Sequence, residues 1–273
     1  MSKNETNAYD IDVRIVEIYD QVETQTEDVK LIRRLIGGRE RLRILEPFCG
    51  NGRILIPLAV GGHEMVGMDQ SRAMLDSART KIARLTPDAQ KRITLIEADV
   101  TTSQWPGDFD LVVLGGNCFY ELAAPEEQEG CIASAASALR PGGYVYVDNN
   151  HMEGDLDDKW RKPGVTKGFP TGTCADGAGV EGYGETIWWD APRRLVRFRR
   201  GVKIIRPDGS TQSREWIQQK HPVSMGEVKT WLEAHGFAVE HLYGDRRAGP
   251  YTLSSPRAIF WARREGTEDI RPN

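Results

Sequence analysis

From Arg41 to Val147 the chain alternates short apolar runs with helix-period stretches, and no other feature restricts its fold as much. Arg43-Ile44-Leu45, Glu64 to Met68, Ile93 to Ile96, Leu111 to Leu114 and Tyr144 to Val147 read as five strands. Arg53 to Val60 reads as a helix stopping at Gly61-Gly62. Ser71 caps a second, whose apolar positions are Met74, Leu75, Ala78, Ile82 and Leu85. A third runs from Glu126 to Leu139 and stops at Arg140-Pro141-Gly142-Gly143. Strands alternating with helices imply βαβ units, right-handed crossovers and a parallel sheet. In such sheets ligands bind beyond the carboxyl ends of the strands, so the residues just after each strand are the candidates.

The remaining segments frame that unit. Residues 1–40 read as helices, with Ile11, Ile15, Val16 and Tyr19 in one run and Val29, Ile32 and Leu35 in the next. Residues 41–151 form the α/β core. Residues 152–220 form an insertion, with a loop-rich stretch from His151 to Gly184 and then antiparallel strands at Glu185–Trp189, Leu195–Ile205 and Thr211–Gln218. Residues 221–265 supply a helix from Ser224 to His235 and two strands, Ala238 to Tyr243 and Ala258 to Ala262, that bring the core sheet to seven strands. Residues 266–273 are a tail. The predicted class is α/β: a doubly wound, mostly parallel seven-stranded sheet with an inserted small antiparallel sheet.

Composition narrows the function classes. Hydrophobic residues are 39% of the chain, and no apolar run approaches the roughly 18 residues that cross a bilayer. The first residues are polar, so a cytoplasmic protein without a membrane is expected. Four dispersed cysteines without CxxC spacing predict reduced thiols and no metal site. A net charge of −4 argues against a nucleic-acid partner. Arg193, Arg194, Arg197, Arg199, Arg200, Lys203 and Arg206 are expected to form the wet face of the inserted sheet.

The ligand signals lie on successive strand ends. Glu46-Pro47-Phe48-Cys49-Gly50-Asn51-Gly52 joins the first strand to a helix start. Its glycines admit close backbone approach, although the pair alone also fits a tight turn. Glu46 would repel a phosphate and suits a ligand carrying a cationic amino group. Asp69, ending the second strand before Gln70, stands near the roughly 20-residue separation at which a carboxylate reaches ribose hydroxyls. Asp99-Val100 follows the third strand, where an acceptor can meet an adenine amino group. Gly115-Gly116-Asn117-Cys118 follows the fourth.

With these residues in place the sequence resembles the class I S-adenosylmethionine-dependent methyltransferases, which have a Rossmann-like fold. The likeness runs through the glycine loop, Gly67-Met68-Asp69-Gln70-Ser71 leading to Met74-Leu75, Ala98-Asp99-Val100, and Leu139-Arg140-Pro141-Gly142-Gly143. It implies S-adenosylmethionine as cofactor: Glu46, Gly50, Asn51 and Gly52 around its methionine part, and Asp69, Gln70 and Met74 toward the ribose. Asp99 and Val100 would hold the adenine, and Gly115, Gly116 and Asn117 would flank the reacting centre. Phe48 stands where the family usually has a third glycine.

Ile18-Tyr19, Gly116 to Phe119, Tyr243-Gly244-Asp245 and the inserted strands look like small-molecule N-methyltransferases of the glycine N-methyltransferase type. Those enzymes place an arginine after the fifth strand; Asp148-Asn149-Asn150-His151 has none, so glycine itself is not expected as the substrate. The resemblance implies methyl transfer to a small-molecule acceptor, an amine nitrogen first, with oxygen or carbon as the alternative. A nucleic-acid methyltransferase and a non-catalytic cofactor-binding protein rank lower. His151 is the candidate base, Tyr19 and Tyr120 orient the acceptor, and Asn117 fixes a polar group. One of Trp188 and Trp189 can face the pocket. Cys49 and Cys118 read as packing residues, and homo-oligomer formation is left open.

Overall fold

The computed structural model describes residues 7–150, 156–168 and 170–266. The core sheet contains β1 (Arg43–Pro47), β2 (Glu64–Asp69), β3 (Ile93–Glu97), β4 (Phe109–Leu114), β5 (Leu139–Asn150), β11 (Phe237–Tyr243) and β12 (Arg257–Arg264) in the order β11-β12-β5-β4-β1-β2-β3. β1 pairs in parallel with both β2 and β4, whereas β12 runs antiparallel between β5 and β11. The strand order reverses at β1 and β4, the topological switch point where a crevice opens. The mostly parallel, seven-stranded, Rossmann-like expectation is met.

Strand periodicity divides the core between the two faces of the sheet. Leu45, Val66, Val112 and Val145 point to the side covered by α6 (Pro125–Ala138) and α8 (Met225–Ala234). Ile44, Met65, Leu111 and Tyr146, their chain neighbours, point to the side covered by α2 (Glu27–Ile36) and α3 (Leu55–Val60). Successive side chains alternate across a strand, so a sheet sandwiched by helices needs apolar residues at both parities. Ser71 accepts from the Met74 backbone N–H and caps α4 (Arg72–Ile82), as its sequence position predicts. Leu85 lies beyond that helix. Pro87 opens the next short turn of helix, α5 (Pro87–Gln90), with Thr86 as its cap.

The insertion is more ordered than its composition suggests. The stretch read as a loop up to Gly184 contains α7 (Asp158–Arg161), β6 (Thr166–Gly168), β7 (Gly172–Thr173) and the beginning of β8 (Gly179–Asp190). Gly179, Gly182 and Gly184 hide the strand pattern because they carry no side chain to register a face. β8 pairs with β9 (Leu195–Ile205), and β9 with β10 (Thr211–Lys220), all antiparallel. This second sheet packs Val180, Val202, Ile204 and Trp216 against Ile15 and Ile18 of α1 (Val13–Val22). The N-terminal helix and the insertion therefore form one roof over the strand ends.

Gly67 on β2 lies under the loop that follows β1. A Cβ there would stand 2.4 Å from Leu55 Cδ1 and 2.7 Å from Cys49 Sγ, so only glycine lets the loop sit this close to the sheet. Gly67→Ala is expected to lower stability by about 1–3 kcal/mol through overpacking. Urea unfolding of the two proteins checks it.

Candidate active site

The crevice at the switch point is a cavity of about 720 Å³. Its floor is the set of strand ends singled out in the sequence. Glu46, Gly50, Asn51, Asp69, Gln70, Met74, Val100, Gly115, Gly116 and Asn117 all line it. Its roof comes from the two flanking segments, with Tyr9 and Tyr19 from the N-terminus and Trp160, Arg200, Trp216, Gln218 and Lys220 from the insertion.

The floor carries the features of a built ligand site. Glu46 is 4% exposed and its Oε2 has no hydrogen-bond partner among the described residues. Burial pushes its carboxyl well above the usual carboxylate range. An orphaned, buried acceptor atom facing a cavity is costly unless a ligand satisfies it, and a cationic amino group would do so. Asp69 accepts from the backbone N–H groups of Gly50 and Ser71, both at 2.8 Å, so it holds the glycine loop against the start of α4. Burial nevertheless pushes it up to about 6. Phe48, where a third glycine was expected, keeps a left-handed backbone with φ of 62°. The loop thus retains the shape a glycine would allow, with a ring that lines the cavity and packs against the core.

Some predicted residues are occupied differently. Asp99 turns back to its own loop, accepting from the backbone N–H of Thr101 at 2.9 Å and its hydroxyl at 2.6 Å; Val100, not Asp99, lines the cavity. Asn51 donates to Asp20 of α1 at 2.5 Å and ties the loop to the roof. Asn117 adopts φ of 60°, and its Oδ1 accepts from Arg257 and from the Asn150 backbone N–H. His151 lies outside the described residues. Trp188 and Trp189 are both absent from the described cavity lining, Trp188 lying under the Arg197 guanidinium instead. A bulge between Thr186 and Trp188 shifts their register. Trp160 and Trp216 face the cavity in their place, without a local sequence signal.

The predicted arginine-free end of β5 is supplied with cations from elsewhere. Arg257 opens β12 opposite Asn150 and binds Asp148 at 2.5 Å, Asn150 Oδ1 at 2.7 Å and Asn117 Oδ1 at 2.7 Å. Arg246, in the preceding loop, reaches both Asp148 (2.8 Å) and Asp28 (3.4 Å). Arg53 completes the row with two bonds to Asp28, at 2.9 and 2.6 Å. Burial raises Asp28, but the Arg53 hydrogen bonds and the charges of Arg53 and Arg246 outweigh it and leave the carboxyl below its usual range.

The other titratable groups are suited to orientation and not to nucleophilic chemistry. Burial pushes the Tyr19 hydroxyl up to about 12, against the opposing charge of Arg53, and also raises Tyr120. Both stay neutral near pH 7 and remain hydrogen-bonding groups. Burial raises the Cys49 and Cys118 thiols as well, which fits their reading as packing residues.

Comparisons with known proteins agree with this geometry. Residues 44–143 match a family described as a methyltransferase domain. The 23S rRNA (uracil(1939)-C(5))-methyltransferase RlmD of Bordetella avium is 33% identical over 115 residues, but the match spans 40% of this chain and only 22% of that protein. The cypemycin N-terminal methyltransferase of a Streptomyces species is 27% identical, over 81% of this chain and 83% of its own. A glycine/sarcosine N-methyltransferase of Halorhodospira halochloris is 25% identical over 77% and 70%. An S-adenosylmethionine-dependent methyltransferase from Clostridium acetobutylicum superposes with a TM-score of 0.71 at 14% identity, covering 95% of this chain and all (100%) of that one. The sugar N-methyltransferase KedS8 from Streptoalloteichus superposes with 0.69 at 18% identity, over 97% and 96%. Residues 44–143 are thus matched as a methyltransferase domain, the chain has the fold of S-adenosylmethionine-dependent methyltransferases, and the cofactor that fits its strand ends is S-adenosylmethionine.

Two outcomes follow from the buried charges. Removing the Asp148 carboxylate by Asp148→Asn leaves the Arg257 guanidinium without a carboxylate in the row and weakens the hold on Arg246, and is expected to cost about 3–5 kcal/mol, measured by denaturant unfolding. Glu46, raised in the free protein, should lose its proton when a cationic amino group binds. Cofactor affinity should therefore rise with pH through and above the usual carboxylate range, with heat that depends on the buffer's ionisation enthalpy. Glu46→Gln should reduce both dependences in calorimetry, leaving the part that Asp69 contributes.

Proposed function

We propose that, on this methyltransferase domain, the protein transfers a methyl group from S-adenosylmethionine to a small-molecule acceptor, at an amine nitrogen. One observation carries the reading: a single cavity joins the strand-end floor to a roof made by α1 and the inserted sheet. Its volume of about 720 Å³ falls within the range of roughly 300–1,000 Å³ typical of small-molecule sites. The nitrogen acceptor is supported by the two relatives matched over most of their length, both named N-methyltransferases.

S-adenosylmethionine supplies an already activated methyl group, so the protein's task is to align an acceptor lone pair and keep water out. Glu46 faces the amino group of the methionine part, Gly50 admits its close approach, and Asp69 with Gln70 and Met74 meets the ribose, whereas Gly52 lies outside the cavity lining, against Ile56. Val100 packs on the adenine, and Gly115, Gly116 and Asn117 border the transfer point. Asp69 oxygens already accept from two backbone N–H groups, but a carboxylate has further lone pairs for ribose hydroxyls. Tyr19 and Tyr120 orient the acceptor as neutral hydroxyls, and Asn117 holds its place through Arg257. His151, directly after β5, takes the proton of an ammonium acceptor.

Calorimetry with S-adenosylmethionine or its demethylated product, followed by transfer of labelled methyl to a panel of amines, tests the reading. Asp69→Ala should weaken cofactor binding about 10–100-fold, the worth of hydrogen bonds to a charged group. No binding of either ligand by the wild-type protein would sink it. For the best acceptor, His151→Ala should lower kcat about 10²–10⁴-fold near neutral pH. A pH profile unchanged by that substitution would remove His151 from the mechanism.

A further inference from the structure

The roof carries two cations that the cofactor floor does not use. β9 and β10 pair so that Trp216 stands opposite Arg200, Gln218 opposite Phe198 and Lys220 opposite Val196. Directly opposed residues share a face, so Arg200 and Lys220 flank the Phe198–Gln218 row on the side facing the cavity. Arg200 was expected on the wet face with Arg197 and Arg199. Strand parity places it instead with the buried Val196, Phe198, Val202 and Ile204.

Arg200 is held in a defined position. Its Nε donates to Gln218 Oε1 at 3.2 Å, and its guanidinium lies 5.0 Å from the centre of the Phe198 ring. Both contacts draw it along the row toward Lys220. Gly184 stands opposite it on β8. A Cβ at Gly184 would be 2.7 Å from Arg200 Nη1 and 3.3 Å from its Cδ, so the missing side chain is the shelf on which the arginine rests.

Lys220 is also 8% exposed. Among the described residues its ammonium makes no hydrogen bond or ion pair, and it sits 5.9 Å from the centre of the Tyr120 ring. A buried ammonium without a hydrogen-bond partner is costly, and a second cation on the same wall raises the cost. Among the described residues, Glu121 and Tyr120, in the turn Cys118–Glu121, and Arg200 face Lys220, with Arg194 and Arg257 beyond Tyr120. Glu121 is the carboxylate among the described residues that acts on Lys220, and Arg200 is the second cation beside it. Burial lowers Lys220 to about 8; Glu121 opposes that shift and Arg200 adds to it.

We propose that Arg200 and Lys220 form an anion subsite in the roof of the cavity, which recognises a carboxylate or phosphate group on the methyl acceptor. The guanidinium offers a planar fork and the ammonium a point charge, a pairing suited to either oxyanion. Held there, the acceptor would be anchored at the inserted sheet, its nucleophilic end turned to the strand ends below. The acceptor role rests on the function proposed above, whereas anion binding does not.

The test is calorimetry of the full chain, with and without saturating S-adenosylhomocysteine, titrated with acetate, inorganic phosphate and neutral acetamide. Acetate or phosphate should bind saturably, acetamide should not, and the stronger of the two anions identifies the acceptor's group. Arg200→Gln and Lys220→Gln should each weaken anion binding at least about 10-fold, the worth of a charged hydrogen bond. Lys220→Arg should retain binding and remove the loss seen in the wild-type protein as pH is raised through the lysine's titration. S-adenosylhomocysteine affinity shows that each variant is folded. Anion binding without any S-adenosylhomocysteine binding would support the subsite while refuting the proposed function. No saturable anion binding at high-millimolar concentration, or binding unaffected by both glutamine substitutions, would overturn the subsite.

Discussion

The structure depends on a buried row of alternating charges. Arg53, Asp28, Arg246, Asp148 and Arg257 follow one another through contacts of 2.5 to 3.4 Å. They come from the loop before α3, from α2, from the loop before β12, from β5 and from the first residue of β12. Asp28 and Asp148 are fully buried, at 0% exposure. Each carboxylate binds two guanidinium groups, so no buried charge in the row lacks a counter-charge. Such a row adds little net stability over apolar packing, because both signs must be desolvated. Its effect is positional: a charge moved out of line would be buried without a partner, so five separate elements are held in one arrangement around the cavity.

That constraint is transmitted to the floor of the site. Arg257 orients Asn117 and Asn150, and Asn117 holds the left-handed turn after β4 in place. On the other side of the cavity Asp10 accepts from the Ser71 hydroxyl at 2.8 Å and the Ala73 N–H at 3.0 Å, and Asn51 donates to Asp20. The N-terminal segment is thus bonded to the loop after β1 and to the start of α4. These polar contacts fix the roof relative to the strand ends, and an apolar seam joins α1 to the inserted sheet within it. Floor and roof each carry a buried polar group without a hydrogen-bond partner among the described residues, the Glu46 Oε2 below and the Lys220 ammonium above. A cavity polarised in this way suits two ligands, a cation at the floor and an anion at the roof.

Much of the floor was legible because its signals are local. A strand followed by a turn and a helix can be read from consecutive residues, and Glu46, Asp69, Val100 and Gly115 to Asn117 then fall at strand ends by topology. The Ser71 cap was legible for the same reason. At Asp99 the residue type is ambiguous, because an Asx turn to Thr101 and a ligand contact call for the same side chain at the same place. β8 was started six residues late because its glycines erase the alternation. The basic strand shows the most instructive error. Alternation was recognised at Val196, Phe198, Val202 and Ile204, yet Arg200 was grouped by charge with its exposed neighbours although it has the buried parity.

The sequence by itself determined the layer architecture, the order of the strand ends and the kind of cofactor those ends accommodate, since each follows from periodicity and chemistry within short windows. Only the tertiary structure decided what faces those ends from above. Arg257 reaches Asn117 across 140 residues of chain, and Arg200, Lys220, Trp160 and Trp216 enter the cavity from an insertion folded back over it. Strand pairing between distant segments sets those contacts, and a window along the chain holds no record of which strand will lie opposite. The groups of the floor were therefore readable in line, and those of the roof emerged only when the insertion closed over the strand ends.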